Sequence, residues 1–348
     1  MIRALVSIAI NTKNRPMKTS LLSQLVTACV IGLLMILMPT MSEAQDPEFS
    51  QIYAASVYTN PALAGTGRCN LSGGGGRAAV NYRNQWPNIS GNFVTSSASY
   101  DQHVEGLGGG IGFLVLTDNA AQTLKTTRAS FMYAYKIKIS RTFSVNLGAK
   151  ATYFQKSLDW NKLTFGDMID PRRGFVYQTN DVQKGSSVSN VDFSAGIMGY
   201  SDKFYFGFAA DHLTEPNESF IGDTEAGRLP MKLTGHAGAM IPLEDGRNAK
   251  TFISPNILFR KQATFTQLNL GLYVKNGAMT YGVWYRNKDA FIATVGIETD
   301  NFKIGYSYDV TLSRLGIASG GAHEVSMGIV FPCKPKKRTF RTVSCPSF

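Results

Sequence analysis

Four histidines, one His-Glu pair close to a serine, and a glycine run are the residues whose types and spacing could support catalysis. A hydrolase built on a barrel wall needs a serine, a histidine and a carboxylate or amide gathered at one place. His103, His212, His236 and His323 fall on separate predicted strands. The nearest grouping is His323-Glu324 followed by Ser326. Side chains alternate faces along a strand, so His323 shares a face with Val325 and Glu324 with Ser326, and no triad forms locally. The run Gly106-Leu-Gly-Gly-Gly-Ile-Gly112 lacks the Lys-Ser/Thr ending of a phosphate loop and reads instead as a strand whose small residues make room on one face. Cys69, Cys333 and Cys345 have no histidine or second cysteine at metal-ligand spacing. No catalytic residue, metal site or cofactor is expected. In an exported chain Cys333 and Cys345 could close a small loop, and a Cys69 pairing with either is equally open.

Binding chemistry is better represented. Residues 156–186 combine Trp160, Phe165, Phe175 and Tyr177 with Arg172 and Arg173, the composition of an interface hot spot. The bland alternative is a loop that folds inward and caps its own barrel. Lys334, Lys336, Lys337, Arg338 and Arg341 form a basic tail with no acid after Glu324, suited to an acidic partner or a cell-wall surface. The chain's net charge of +11 includes this tail and the leader residues Arg3, Lys13, Arg15 and Lys18, so the rest is nearly balanced and offers no nucleic-acid surface. Residues 45–75, with Pro47, Pro61 and several glycines, suit an irregular segment that lies in the periplasm or folds up as a plug. A plug would bring Asp46, Phe49, Gln51, Asn60 and Pro61 to the inner wall beside Arg83. An arginine facing lipid near mid-membrane costs about 2–4 kcal/mol, so Arg83 is expected in the lumen or at the rim.

The elements that must hold these residues are strands. In Phe204–Asp211, Thr264–Val274 and Phe302–Tyr308 every second residue is apolar or aromatic. Fourteen strands are predicted: 76–84, 92–103, 107–118, 124–138, 141–155, 187–200, 202–214, 229–242, 249–260, 264–275, 277–287, 289–300, 301–310 and 322–331. Many have about the length a tilted strand needs to cross a bilayer. Tyr and Trp gather near their ends, as in interfacial girdles. Connections after odd-numbered strands include the long ones, 156–186, 215–228 and 311–321, while turns at Ser140, Ser201 and Asn276 are short. That sorting is the loop pattern of an all-β outer-membrane barrel, whose polar face lines a lumen expected to be chiefly Gly, Ser, Thr and Asn.

The start of the chain agrees with export. A basic beginning from Met1 or Met17 precedes an apolar run from Leu25 to Met38, and Ser42-Glu-Ala44 offers a cleavage site, so 1–44 is expected to be a signal peptide. Val26-Thr-Ala-Cys29 has the look of a lipoprotein signal, but the apolar run continues past Cys29. The resulting organisation is a leader (1–44), a plug or periplasmic segment (45–75), a barrel (76–331) and a tail (332–348).

The segments Asp46-Pro-Glu-Phe-Ser-Gln-Ile-Tyr53 and Asn60-Pro-Ala-Leu-Ala-Gly65 resemble the mature N-terminus of the PorP/SprF family of the type IX secretion and gliding machinery. Tyr82-Arg-Asn-Gln-Trp86, Gly305-Tyr-Ser-Tyr-Asp309, Gly321-Ala-His-Glu-Val-Ser326 and Cys345-Pro-Ser-Phe348 extend the resemblance along nearly the whole mature chain. It implies an integral outer-membrane barrel of Bacteroidota-type cells, without catalysis, that binds secretion or motility proteins on the periplasmic side and helps export or hold large adhesins. The competing expectation is a transport barrel for small hydrophobic or polar solutes, similar to the long-chain fatty-acid channels, which also carry an N-terminal plug and an Asn-Pro-Ala element.

Overall fold

The computed structural model describes residues 46–67, 75–179, 185–220, 225–244, 250–312 and 319–331. Fourteen antiparallel strands close into a ring: β1 (Gly76–Gln85), β2 (Phe93–Val104), β3 (Gly109–Ala120), β4 (Leu124–Lys138), β5 (Phe143–Leu158), β6 (Ser187–Ser201), β7 (Phe204–Asp211), β8 (Lys232–Ala239), β9 (Thr251–Gln262), β10 (Phe265–Asn276), β11 (Met279–Arg286), β12 (Ala290–Glu298), β13 (Phe302–Thr311) and β14 (Ala322–Val330). Each strand pairs with its sequence neighbours, and β1 pairs with β14 from Arg77↔Val330 to Gln85↔Ala322, so no edge is left open.

The apolar face points outward. Val283 and Phe291 are 61% and 53% exposed, whereas their inward neighbours Trp284 and Ile292 are each 3% exposed. Phe113, Phe131, Phe193, Phe206, Leu270, Ile304 and Met327 continue the exposed apolar surface around the ring. A soluble sandwich would bury that face; an apolar band around a closed barrel is the surface a bilayer covers. No described helix is long and apolar enough to cross a membrane.

Both ends of the barrel chain, Gly76 and Val330, lie at one mouth, called the near mouth here. The connections 105–108, 139–142, 202–203, 277–278 and 299–301 turn there, and the long connections 159–186, 212–231 and 312–321 belong to the far mouth. Three sequence expectations need correction. The strand expected at 202–214 stops at Asp211 because His212 takes a left-handed φ of 60°. The strand expected at 229–242 begins only at Lys232, since Pro230 cannot donate to a ladder. It is also interrupted: pairing with β9 lapses between Gly238↔Asn256 and Ile241↔Ile253, opposite Pro255, which has no N–H. An unbroken strand through Tyr82-Arg-Asn-Gln-Trp86 would put Trp86 on the face of Tyr82 and Asn84, but Trp86 has φ 59° and lies in the turn, its N–H bonded to the Gly321 carbonyl at 2.8 Å.

The interior is packed around residues 46–67. Phe49, Val57, Tyr58 and Ala64 cluster with Leu114, Leu116, Met132 and Ala134 of β3 and β4. Ala62 packs with Met198, Tyr200 and Tyr205, and Tyr53 lies against Tyr273 and Trp284. The hydrophobic core of this barrel is therefore built inside the lumen, on the segment that precedes its first strand.

Candidate functional site: the filled lumen and its two mouths

Residues 46–67 hold two short helical turns, α1 (Ser56–Thr59) and a 3-10 turn (Pro61–Leu63). The second starts as its sequence dictates: the Asn60 side chain accepts from the Ala62 N–H at 2.9 Å, and Pro61 takes the first helical position. The wall receives this turn through glycines. A Cβ on Gly148 would run into the Pro61–Ala62 backbone, one on Gly110 into the Ala64 carbonyl, and one on Gly196 into the Asn60 side chain. Asn60 is fully buried and donates from Nδ2 to the Ile197 and Phe208 carbonyls at 3.2 and 3.3 Å, beside His236 Nε2 at 3.1 Å. Asn60→Ala strands these groups at about 1–3 kcal/mol each when buried. A lower temperature for loss of the compact, fast-migrating gel form is the expected result.

Towards the far mouth the segment is held by charge. Asp46 meets Lys232 at 2.6 Å, Arg128 at 2.8 Å and His212 Nε2 at 2.8 Å, while its own N–H donates to Gln262. Glu48 lies 3.4 Å from Arg260 and 3.6 Å from Arg286, and accepts from Gln267 at 2.9 Å. The N–H groups of Ser50 and Gln51 both donate to the Glu324 carboxylate, at 2.6 and 3.0 Å. Arg83, its side chain 3% exposed, donates to Ser50 Oγ at 2.7 Å, to Asp309 at 2.8 Å and to Glu324 at 3.3 Å. Gln51 also donates to the Glu324 carbonyl and accepts from Ser326. Tyr53 bonds to Tyr205 at 2.6 Å and to Asn256, and Gly65 N–H donates to Asp101 at 2.9 Å.

The lumen face is thus far more charged than the expected Gly, Ser, Thr and Asn. Around this segment the wall supplies Arg83, Lys150, Lys232, Arg260 and Arg286, all buried, and the nearly buried Arg128, against the buried Asp192, Asp211, Asp309 and Glu324. Asp46 and Glu48 bring the balancing negative charge. An unpaired buried ion is costly, so wall and segment stabilise each other. The sequence drew attention to Asp46, Phe49, Gln51, Asn60, Pro61 and Arg83 but passed over Glu48, Ser50 and the wall partners. The available signal was a charge on the polar phase of a membrane strand, as at Arg128, Arg260, Arg286 and Asp309, which requires a counter-ion.

The far-mouth loop 159–186 organises its candidate residues differently. Trp160 stacks on Phe165 with centroids 6.3 Å apart and donates to the Gly185 carbonyl at 2.7 Å. A small hairpin pairs Ile169–Asp170 with Gly174–Phe175. Asp170 accepts from the Arg172 and Arg173 amides and from the Tyr177 hydroxyl, and these donors, the Arg172 amide first, hold its carboxyl below its usual range. Phe175, Val176 and Tyr177 are exposed. The loop after β7 packs inward, with His212, Glu218 and Leu229 buried and Glu218 paired with Lys156 at 2.6 Å.

The other histidines are dispersed: His236 beside Asn60, His323 on the outer face bonded to Tyr306 at 2.8 Å, and His103 on β2. Among the described residues no group of three or more His, Cys, Asp and Glu side chains could hold a metal ion. Residues 1–44, Cys69, Cys333, Cys345 and the tail residues Lys334, Lys336, Lys337, Arg338 and Arg341 lie outside the described residues.

A closed fourteen-stranded barrel with an apolar outer surface and a charged, occupied lumen defines an outer-membrane β-barrel protein. The chain matches the type IX secretion system membrane protein PorP/SprF family over residues 41–329, and it belongs to that family. No curated protein matches it. Among solved structures it is similar to the KdgM porin (10% identity, 74% of this chain and 99% of that one, TM-score 0.35). It is also similar to the Pseudomonas putida toluene transporter TodX (10% identity, 83% and 94%, TM-score 0.42). A Pseudomonas aeruginosa FadL homologue is a third (13% identity, 80% and 92%, TM-score 0.40). Likenesses this low carry no inference about a transported solute.

Proposed function

We propose that the protein is a sealed outer-membrane scaffold that works by protein–protein binding, without catalysis. In this reading the near mouth faces the periplasm and docks secretion or motility proteins. The far mouth faces outward and helps export or attach large adhesin-type proteins. The observation that carries it is the occupied lumen: residues 46–67 fill the barrel and are held along their length by ion pairs, hydrogen bonds and a glycine-lined seat. A barrel whose lumen serves as its core has its two mouths left for function. Exposed Phe175 and Tyr177 beside Arg172 and Arg173 are the outer contact in this scheme. The basic tail, from Lys334 to Arg341, is the periplasmic one. Cleavage of residues 1–44 belongs to the same reading.

Affinity capture from detergent-solubilised outer membranes tests this, comparing the full chain with one ending at Cys333. Secretion-machine proteins should copurify with the full chain and be lost on truncation. Changing Phe175 and Tyr177 together to serine should remove outer partners only, leaving barrel folding unchanged. Capture of lipopolysaccharide and unrelated porins alone, by every version, would contradict the scaffold.

A transport channel for small hydrophobic or polar solutes is the second reading. In its favour is an unfilled part of the lumen, about 90 Å³, lined by Gln51, Tyr53, Arg77, Ala79, Tyr273 and Thr280.

A further inference from the structure

The direction in which residues 46–67 run through the barrel constrains how the chain is assembled. Asp46 lies against Lys232, the first residue of β8, Gln262, the last of β9, and His212, one residue beyond β7. All three belong to the far mouth. Ser50 and Gln51 sit a step inward, on Arg83, Asp309 and Glu324. Asn60 lies deeper, by His236 and the Ile197 carbonyl. Gly65 then reaches Asp101 near the end of β2, and its Cβ position is occupied by the backbone of Gly110 at the start of β3, both at the near mouth. Gly76 opens β1 at that same mouth.

The segment therefore begins at the far mouth and ends at the near mouth before the first strand begins, with Tyr53 dipping to Tyr205 and Asn256 and Tyr58 returning to Lys232 on the way. The ring offers no side exit, because β1 and β14 are paired continuously from Arg77↔Val330 to Gln85↔Ala322. The β1–β14 seam joins the two ends of the barrel chain, so it is the step that encloses the segment.

We infer that the amino-terminal end of this segment is delivered to the mouth opposite the one where the barrel begins and ends, and that the β1–β14 seam closes around the segment after it is in place. Asp46 then stands on the same side as loop 159–186 and opposite the two ends of the barrel chain. The inference rests on residues 46–67 being a resident plug. It does not depend on which mouth faces outward, because it concerns only the side shared with that loop.

Three single-epitope versions of the full chain test it, with the tag between Gln45 and Asp46, between Arg173 and Gly174, or after Phe348. Antibody access is compared in intact and outer-membrane-permeabilised cells, and folding is checked by heat-modifiable gel mobility. The first tag should be accessible together with the loop tag and opposite to the tail tag. A folded barrel whose first tag shares the tail's side would overturn the inference. Failure of the plug reading has a separate signature: residues 46–67 would then be digested from the folded barrel by added protease, whichever side the first tag occupied.

Discussion

Arg83→Leu is expected to destabilise the barrel by about 3–5 kcal/mol, the usual cost of removing one partner from a buried ionic group. Arg83 is the centre of a dry network: its guanidinium touches Asp309, Glu324 and Ser50, and all of these are buried. Leucine would leave the Glu324 carboxylate with only the two amides of Ser50 and Gln51, and would leave Asp309 with Arg286 at 3.3 Å as its one remaining cation beside the Ser50 hydroxyl. The loss bears on two things at once, the seam, since Arg83 is paired with Glu324 across β1 and β14, and the plug, which hangs on the same carboxylates. Urea titration of the refolded protein in detergent, followed by gel mobility, measures it. Tyr82→Leu is the control, because Tyr82 is 47% exposed on the outer face and its loss should shift the midpoint by less than about 0.5 kcal/mol. Equal effects from the two substitutions would mean that the network does not hold the seam.

Gly148→Leu should have the opposite character: it should spare the wall and lift the Asn60–Gly65 turn off its seat. Gly148 sits in β5 opposite Ala134 and Gly196, where its backbone ladder can accept any residue. What forbids a side chain is the Pro61–Ala62 backbone lying directly on it. Overpacking of this kind typically costs about 1–3 kcal/mol, and here it can be relieved by moving one turn of a short segment. The expected outcome is a barrel that still shows heat-modifiable mobility, residues 60–67 newly open to protease, and ionic current across a planar bilayer. Gly148→Ala should give a weaker form of the same behaviour. A Gly148→Leu protein that remains sealed and protease-resistant would show that the turn is not what closes the lumen.

The barrel was legible because its physics is periodic. Alternation in segments such as Phe204–Asp211 and the sorting of loop lengths gave all fourteen strands, and they belong to the closed ring observed. Ends were less legible where a left-handed residue set them. Nothing in the side chains of His212, or of Ala121 and Gln122 between β3 and β4, announces the positive φ they adopt. The family resemblance rested on short segments whose roles now differ in kind. Asn60–Gly65 is a turn built to lie on wall glycines, and Glu324 with Ser326 and Asp309 receives residues 50 and 51. The pairing of Asp46 with Lys232 or Glu48 with Arg260 could not be read locally, because it joins residues close to 200 positions apart. A one-dimensional pattern identifies which strand residues face inward, but not which counter-ion each will meet.

Single-channel recording of the purified full chain in planar bilayers tests the sealed scaffold most directly. The lumen's core is made by residues 46–67, so the account predicts no steady conductance from the unaltered protein, with current appearing only when the plug's seat is filled, as in Gly148→Leu. Stable open-channel steps from the unaltered protein, unchanged by that substitution, would contradict the account and favour a transport barrel.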